Sequence, residues 1–229
     1  MWPDYYYIIL VLPTLILSLL AQVSVKSTFN KYSKIKCSNN ITGRDAAALL
    51  LRENGVNDVV IEAGQGSLTD HYNPGTKKIR LSEPVYGSQS IAAVGVAAHE
   101  TGHAIQHAKA YGPLGLRSGL VPVANVGSSA GPWLAIIGLV SELPILLNIG
   151  IILFSVSVLF YVITLPVEFN ASQRALKLLK EKNVLNAKEL TGVKKVLTAA
   201  AMTYVASALT AIMSLLRLVL LSRNRGYRR

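Results

Sequence analysis

The chain has 229 residues, of which 51% are hydrophobic and only 15% are charged, and its mean hydropathy is +0.40. Because soluble domains carry about 25% charged residues, this composition excludes an ordinary soluble domain and indicates a membrane protein. The net charge of +11 does not indicate nucleic-acid binding, since the basic residues flank apolar segments and no stacking aromatics are interleaved with them. The single cysteine, Cys37, excludes an intrachain disulfide and a thiolate zinc cluster.

The first predicted element is an apolar run from Tyr5 to Val25, which is long enough to cross about 30 Å of hydrocarbon. Tyrosines at its start and lysines after its end are typical of a membrane span. A cleaved signal peptide is the alternative, but it should begin with basic residues, and the only charged side chain before this run is Asp4. We therefore predict a retained N-terminal anchor over residues 1–26.

Residues 27–119 have the most soluble character and are predicted to form a cytoplasmic segment. Thr42 and Gly55 are typical of the two ends of a helix, and Asn73-Pro74-Gly75-Thr76 is a strong turn sequence. The predicted elements are a helix at 44–54, a strand at 59–61, a β-hairpin at 69–82 and a helix at 88–111.

The second half of the chain alternates apolar and basic segments. Apolar runs at 120–140 and 143–165, separated by Ser141 and Glu142, predict a transmembrane helical hairpin within 120–165. A cytoplasmic helical region follows at 166–195 and contains a basic amphipathic helix at 167–182. The last segment, 196–229, combines an apolar helix with a basic tail. The fold is thus predicted to be a mainly α membrane protein with three or four transmembrane helices.

The positive-inside rule places the lysine-rich segments after the first span and at 174–195 in the cytoplasm. A fourth full span at 196–221 would put the four-arginine tail outside and would break this rule. The last helix therefore either lies near the interface or crosses against the rule, and both alternatives stay open at this point. The lipid bilayer is a predicted partner.

His99-Glu100-Thr101-Gly102-His103 is an H-E-x-x-H sequence in an apolar helix. Histidines four residues apart lie on one helix face, so both imidazoles can bind one zinc ion. Glu100 lies beside them and could take a proton from a water at the metal. Burial of these polar side chains without partners would be costly, which favours a metal site with Zn²⁺ as cofactor.

A catalytic zinc ion needs a third protein ligand and an open position. His107 is a poor candidate, because its Cα lies about 12 Å along the helix from that of His99, so a polar or outer-shell role is expected. Glu168 follows the end of an apolar run, and Ser172 on the same helix face is suited to a hydrogen bond that holds a metal ligand in position. Other carboxylates compete for the ligand role on the sequence pattern alone: Asp70, Glu62 and Glu83.

The chain resembles the YugP-like family of neutral zinc metalloproteases of bacterial membranes, and more distantly the HtpX-type and CAAX-prenyl membrane proteases. The residues that carry the resemblance are 70–74 (Asp-His-Tyr-Asn-Pro), 81–83 (Leu-Ser-Glu), 98–106 around the zinc motif, 120–123, and 165–172 from Leu165 to Ser172. The resemblance implies a gluzincin-like site in a protein of the bacterial plasma membrane, with Glu168 as third ligand, and the positive-inside rule places that site on the cytoplasmic side. The more distant proteases have aspartate where this chain has Ser172, which leaves that residue's role open.

These features predict a zinc metallo-endopeptidase that hydrolyses a peptide or membrane-protein substrate, with Glu100 as general base. His71 and Tyr204 are candidates for stabilising the oxyanion. The alternative is a zinc-binding membrane scaffold or chaperone without turnover. A site-2-type intramembrane protease is disfavoured because the zinc helix is too short to cross the membrane. A transporter is disfavoured because the spans contain almost no ionisable residues away from their ends.

Overall fold

The computed structural model describes residues 5–226, so Asp4 and the final arginines Arg228 and Arg229 lie outside the described residues. Helices dominate this part of the chain, together with three short strands. A π-helical turn at Tyr7–Val11 precedes the first α-helix. The elements are α1 (Leu12–Tyr32), α2 (Gly43–Glu53), β1 (Val60–Gly64), β2 (His71–Asn73), β3 (Lys78–Ser82), α3 (Glu83–Tyr86), α4 (Ile91–Ala108), α5 (Gly112–Val140), α6 (Pro144–Glu181) and α7 (Ala187–Gly226).

Within residues 5–226, four helical segments are long and apolar enough to cross a membrane: Tyr7–Tyr32, Gly112–Val140, Pro144–Glu181 and Ala187–Arg223. The predicted mainly helical membrane protein is therefore confirmed at this level. The fourth candidate span, which the sequence left open, meets the same criterion of length and composition as the other three.

Two segments that the sequence suggested as separate helices form one continuous helix. The apolar run 143–165 and the basic helix 167–182 form the single helix α6, with Pro166 inside it. Proline removes one backbone donor and usually kinks or ends a helix, but apolar helices tolerate it when neighbouring groups satisfy the freed carbonyl. Residues 186–195 and 196–221 likewise form the one helix α7.

The described residues divide into two compact units. The first contains residues 5–22, 115–165 and 202–226, and the second contains Val23–Leu114 and Pro166–Ala201. In the first unit the backbones of α5 and α6 approach closely at glycines. A Cβ added at Gly127 would lie 2.2 Å from the carbonyl oxygen of Leu153, and one added at Gly150 would lie 2.3 Å from the nitrogen of Ala135.

The second unit packs a small sheet and α2 around α4. Strand order is β1-β3-β2, with β1 parallel and β2 antiparallel to β3. Tyr72 of β2 lies opposite Ile79 of β3, so the predicted hairpin at 69–82 is confirmed. Thr42 caps α2 by accepting from the backbone nitrogen of Asp45, as the sequence indicated. Large side chains fill the core of this unit and are completely or almost completely buried: Leu50, Ile79, Leu81, Val94, Ile105 and Leu179.

Candidate metal centre

Helix α4 is held in place from its first turn. The Ser90 hydroxyl accepts from the backbone nitrogen of Ala93 at 3.2 Å, which caps the helix. Its small residues from 91 to 98 are mostly buried and pack the helix into the core of the second unit. The helix therefore presents His99 and His103 one turn apart on the same face, with ring centroids 4.7 Å apart in an edge-to-face arrangement.

Glu168 of α6 meets these two histidines. Its Oε2 lies 3.3 Å from Nε2 of His99 and 3.4 Å from Nε2 of His103, and the two nitrogens are 3.2 Å apart. The side chains are 3%, 15% and 10% exposed for Glu168, His99 and His103. This is the group of potential metal ligands found among the described residues.

The three atoms fit a tetrahedral metal ion. An ion at about 2.0–2.1 Å from each donor separates neighbouring tetrahedral ligands by about 3.3–3.4 Å, which matches the observed triangle. Two imidazoles and one carboxylate are also a donor set that zinc prefers for catalytic sites, where the fourth position stays open. The residues present therefore fit a zinc ion.

A buried amide orients the ring of His103. Gln106 is completely buried, and its Nε2 donates to the carbonyl of Val167 at 2.9 Å and to Oδ1 of Asn170 at 3.0 Å. Because both amide protons are used there, its Oε1 must face His103 Nδ1, 3.0 Å away, and must accept a proton from it. His103 then keeps the lone pair of Nε2 for a metal. Arg174 extends the network by donating to Asn170 at 2.7 Å.

The second histidine has a simpler partner. Nδ1 of His99 lies 3.1 Å from the hydroxyl of Ser172. The sequence suggested Ser172 for a supporting hydrogen bond at the metal site without naming its partner, and in the structure its hydroxyl lies against the imidazole of His99. This contact can hold the Nδ1 proton of His99 and leave Nε2 available for a metal.

A close approach of two backbones brings α4 and α6 together at the site. A Cβ added at Gly102 would lie 2.7 Å from the carbonyl oxygen of Ala171. Glu168 stands one turn before Ala171 on α6, so this approach places its carboxylate within reach of the histidines. The local sequence of α4 thus sets the distance between the two helices.

Glu100 is buried, with 7% of its surface exposed. Burial raises the pKa of its carboxyl group. The charges of Glu168 and Asp70 also raise the pKa, against the lowering effect of His99 and His103. A carboxylate with a raised pKa is suited to accept a proton and to return it near neutral pH.

The competing carboxylates lie elsewhere. Glu62 pairs with Lys78 and Arg80 across the sheet, and Asp70 accepts from the backbone nitrogen and hydroxyl of Ser82. Glu83 begins α3 at an exposed position. None of the three belongs to the ligand group found in the described residues.

The remaining predicted residues have separate environments. His71 on β2 is exposed and contacts the carbonyl of Thr69 at 2.8 Å. His107, one turn beyond His103, is exposed, and its Nδ1 lies 2.8 Å from the hydroxyl of Tyr72. Tyr204 lies on α7 within the first unit. Its suggested role at the oxyanion stays a prediction, as does that of His71.

Sequence reasoning did not assign roles to Gln106, Asn170 and Arg174. The available signal was Gln106, which is a polar residue three positions after His103 on the same face of an apolar helix. A glutamine in that place requires partners, and the partners come from the segment around Glu168.

A family described as "Putative neutral zinc metallopeptidase" matches residues 7–223. A relative described as "Putative membrane protease YugP", from Bacillus subtilis (strain 168), is 48% identical over 218 residues, which cover 95% of this chain and 97% of the relative. No solved structure matches the chain. With a family match over nearly its whole length and a relative of this identity, the chain belongs to the neutral zinc metallopeptidase family.

Proposed function

We propose that this protein is a membrane-anchored zinc endopeptidase with a gluzincin-like site, in which the third ligand comes from a later helix. The observation that carries the proposal is the convergence of donor atoms from His99, His103 and Glu168. These atoms come from α4 and α6 and are 3.2–3.4 Å apart. Membership of a zinc metallopeptidase family supports the same function.

Zinc held by these side chains would polarise the scissile carbonyl and lower the pKa of a nearby water towards neutrality. Glu100 would take a proton from the attacking water and deliver it to the leaving amine. Its buried position and raised pKa support both proton transfers. Gln106 and Ser172 would hold the two imidazoles in the orientation that keeps Nε2 free to bind the metal.

The substrate would bind as an extended peptide alongside β2. This strand is at the edge of the sheet, since the strand order is β1-β3-β2. Backbone hydrogen bonds to an edge strand give affinity with little sequence preference. β2 has only three residues, His71–Asn73, so the backbone contribution would be short.

We place the site on the cytoplasmic side of the bacterial plasma membrane. Lysines that follow the first candidate span, and those in the segment 174–195, support this orientation through the positive-inside rule. A catalytic segment joined directly to apolar helices favours membrane proteins and short hydrophobic peptides as substrates.

Two variants test the function with purified full-length protein in detergent, with β-casein and a quenched hydrophobic peptide as probes. Glu100→Gln should keep the zinc content and lose hydrolysis, by on the order of 100-fold or more. Glu168→Ala should lose zinc as well, because one of three ligands is removed. Glu83→Gln, an exposed change on α3, is the control and should leave both measurements unchanged.

The outcomes separate an enzyme from a scaffold. If the protein is a zinc-binding scaffold or chaperone, the wild type should hydrolyse neither probe. Its cellular function should then be lost in Glu168→Ala and kept in Glu100→Gln. Unchanged zinc content in Glu168→Ala would remove this residue as a ligand and would contradict the proposed site.

A further inference from the structure

Residues of α4 next to the metal-binding face, which carries His99 and His103, lie on one side of it or on the other. At about 100° per residue, Gly102 and Gln106 lie about 60° and 20° to one side of His99, whereas Glu100 and His107 lie about 100° and 80° to the other side. Helix α6 packs on the side of Gly102 and Gln106, through Ala171 and Val167. The side of Glu100 and His107 is therefore not the side that α6 covers.

Strand β2 approaches α4 on the side of His107. Side chains alternate along a strand, so Tyr72 faces the opposite way from His71 and Asn73. Tyr72 packs against the core that contains Ile79 and Ala104. Its hydroxyl reaches Nδ1 of His107 at 2.8 Å, and the two rings lie 5.9 Å apart at 51°.

The donor and the acceptor of the hydrogen bond between Tyr72 and His107 can be inferred from the chemistry of the two groups. Burial raises the pKa of the Tyr72 hydroxyl, and the negative charge of Asp58 raises it further. The phenol therefore keeps its proton and can donate it to Nδ1. A neutral imidazole that accepts at Nδ1 carries its own proton at Nε2. His107 is exposed, so its side chain is accessible to a ligand.

We infer that Nε2–H of His107, held by Tyr72, donates to the scissile carbonyl oxygen of an extended peptide bound alongside β2, and so stabilises the negative charge that develops there. The inference rests on the proposed function. It assigns His107 to substrate contact and Tyr72 to positioning.

Three features of the site fit this role. His107 is one turn, about 6 Å, beyond His103 and about 12 Å along the helix from His99, which is too far to share a metal with both histidines but near enough for a bound substrate. It lies on the same side of α4 as Glu100, and β2 is the edge strand of the sheet. His71 alternates to the other face of β2 and bonds to Thr69, so the geometry favours His107 as the donor.

The test compares two inhibitors on zinc-loaded, full-length protein in detergent. A blocked peptide phosphonamidate mimics the tetrahedral oxyanion, whereas a peptide hydroxamate of the same sequence binds the metal without a tetrahedral centre. His107→Ala should weaken phosphonamidate binding by about 100-fold, at the low end of what loss of an oxyanion donor costs. Hydroxamate binding and zinc content should change by less than about 2-fold.

Matched variants separate positioning from general damage. His107→Gln places an amide N–H near the position of Nε2–H and should recover part of the phosphonamidate affinity. Tyr72→Phe keeps the ring but removes the hydroxyl, and it should lower the same affinity by about 3–10-fold. Tyr86→Phe changes another partly buried tyrosine of this unit and should have no effect.

Equal weakening of both inhibitors in His107→Ala, or no change in either, would overturn the inference and leave the proposed function standing. Wild-type protein that retains zinc but neither hydrolyses the probes nor binds either inhibitor would overturn both.

Discussion

In the first unit, α5 and α6 meet backbone to backbone at several glycines, whereas in the second unit large buried side chains surround a few polar ones and close backbone approach occurs at Gly43 and Gly102. Gly127, Gly138 and Gly150 bring α5 and α6 so close that a Cβ at any of them would overlap a neighbouring backbone atom. The second unit instead buries leucines, isoleucines and valines completely, together with Gln106. Apolar spans gain nothing from moving an apolar side chain out of lipid, so close backbone packing holds them together.

The difference shows where a polar site can be built. Polar groups in the second unit have several hydrogen-bond partners, as Gln106 does with His103, Val167 and Asn170. In the first unit, the hydroxyl of Ser157 on α6 donates to the carbonyl of Ala124 on α5 at 2.8 Å. A hydrogen-bond network in which every donor and acceptor has a partner can hold metal ligands rigidly, whereas a single hydrogen bond between two helices contributes to their packing.

The largest effect expected within this comparison concerns glycine. Gly127→Ala should destabilise the first unit by about 1–3 kcal/mol through overpacking, since the new Cβ would lie 2.2 Å from the Leu153 carbonyl oxygen. Gly119→Ala on the same helix has open space and should be neutral or stabilise by up to about 1 kcal/mol. Thermal unfolding in detergent measures both, and equal effects would contradict glycine-mediated packing.

The second largest effect is expected for zinc binding in the second unit. Gln106→Leu should lower zinc affinity by about 10–100-fold, the usual cost of losing an outer partner of a ligating histidine. Zinc titration against a competing chelator gives the affinity. Gln173→Leu, at an exposed position of α6, is the control. Unchanged affinity in Gln106→Leu would mean that His103 does not depend on this amide.

The smallest effect is expected for a single hydroxyl in the first unit. Ser157→Ala removes the bond to the Ala124 carbonyl, which is worth about 0.6 kcal/mol for an interhelical contact in a membrane. Ser155→Ala is the control, because the Ser155 hydroxyl bonds within its own helix to Ile151. A loss above about 2 kcal/mol would show that the first unit depends on polar contacts as strongly as the second unit does.

Much of the fold follows from local signals. The turn at Asn73-Pro74 predicted the hairpin, Thr42 predicted the start of α2, and the apolar runs predicted the first three candidate membrane spans. Helix ends were less well predicted, because Pro166 normally ends a helix and here lies inside α6. Continuity through a proline depends on tertiary surroundings that a local pattern does not contain.

The candidate site, like the fold, has one part that local sequence predicts and another that depends on tertiary structure. The spacing of His99 and His103 is fixed by helix geometry, so a pattern over five residues was enough to predict that both face one side. Glu168 lies 65 residues beyond His103, and no local rule joins the two. The resemblance selected it, and the structure brings its carboxylate to the imidazoles. Gln106 and Asn170 were missed because their roles exist only when α4 and α6 are side by side.

The two residues between the motif histidines are written as arbitrary in the H-E-x-x-H consensus, but in this chain they have little freedom. Thr101 is fully buried, with its hydroxyl bonded to the Ala97 carbonyl at 2.8 Å, and Gly102 abuts Ala171. Most substitutions at either position would be rejected during evolution or library selection. An H-E-x-x-H motif placed in another scaffold with unrelated residues at these two positions would contain the ligands but would lack the helix packing that brings them together.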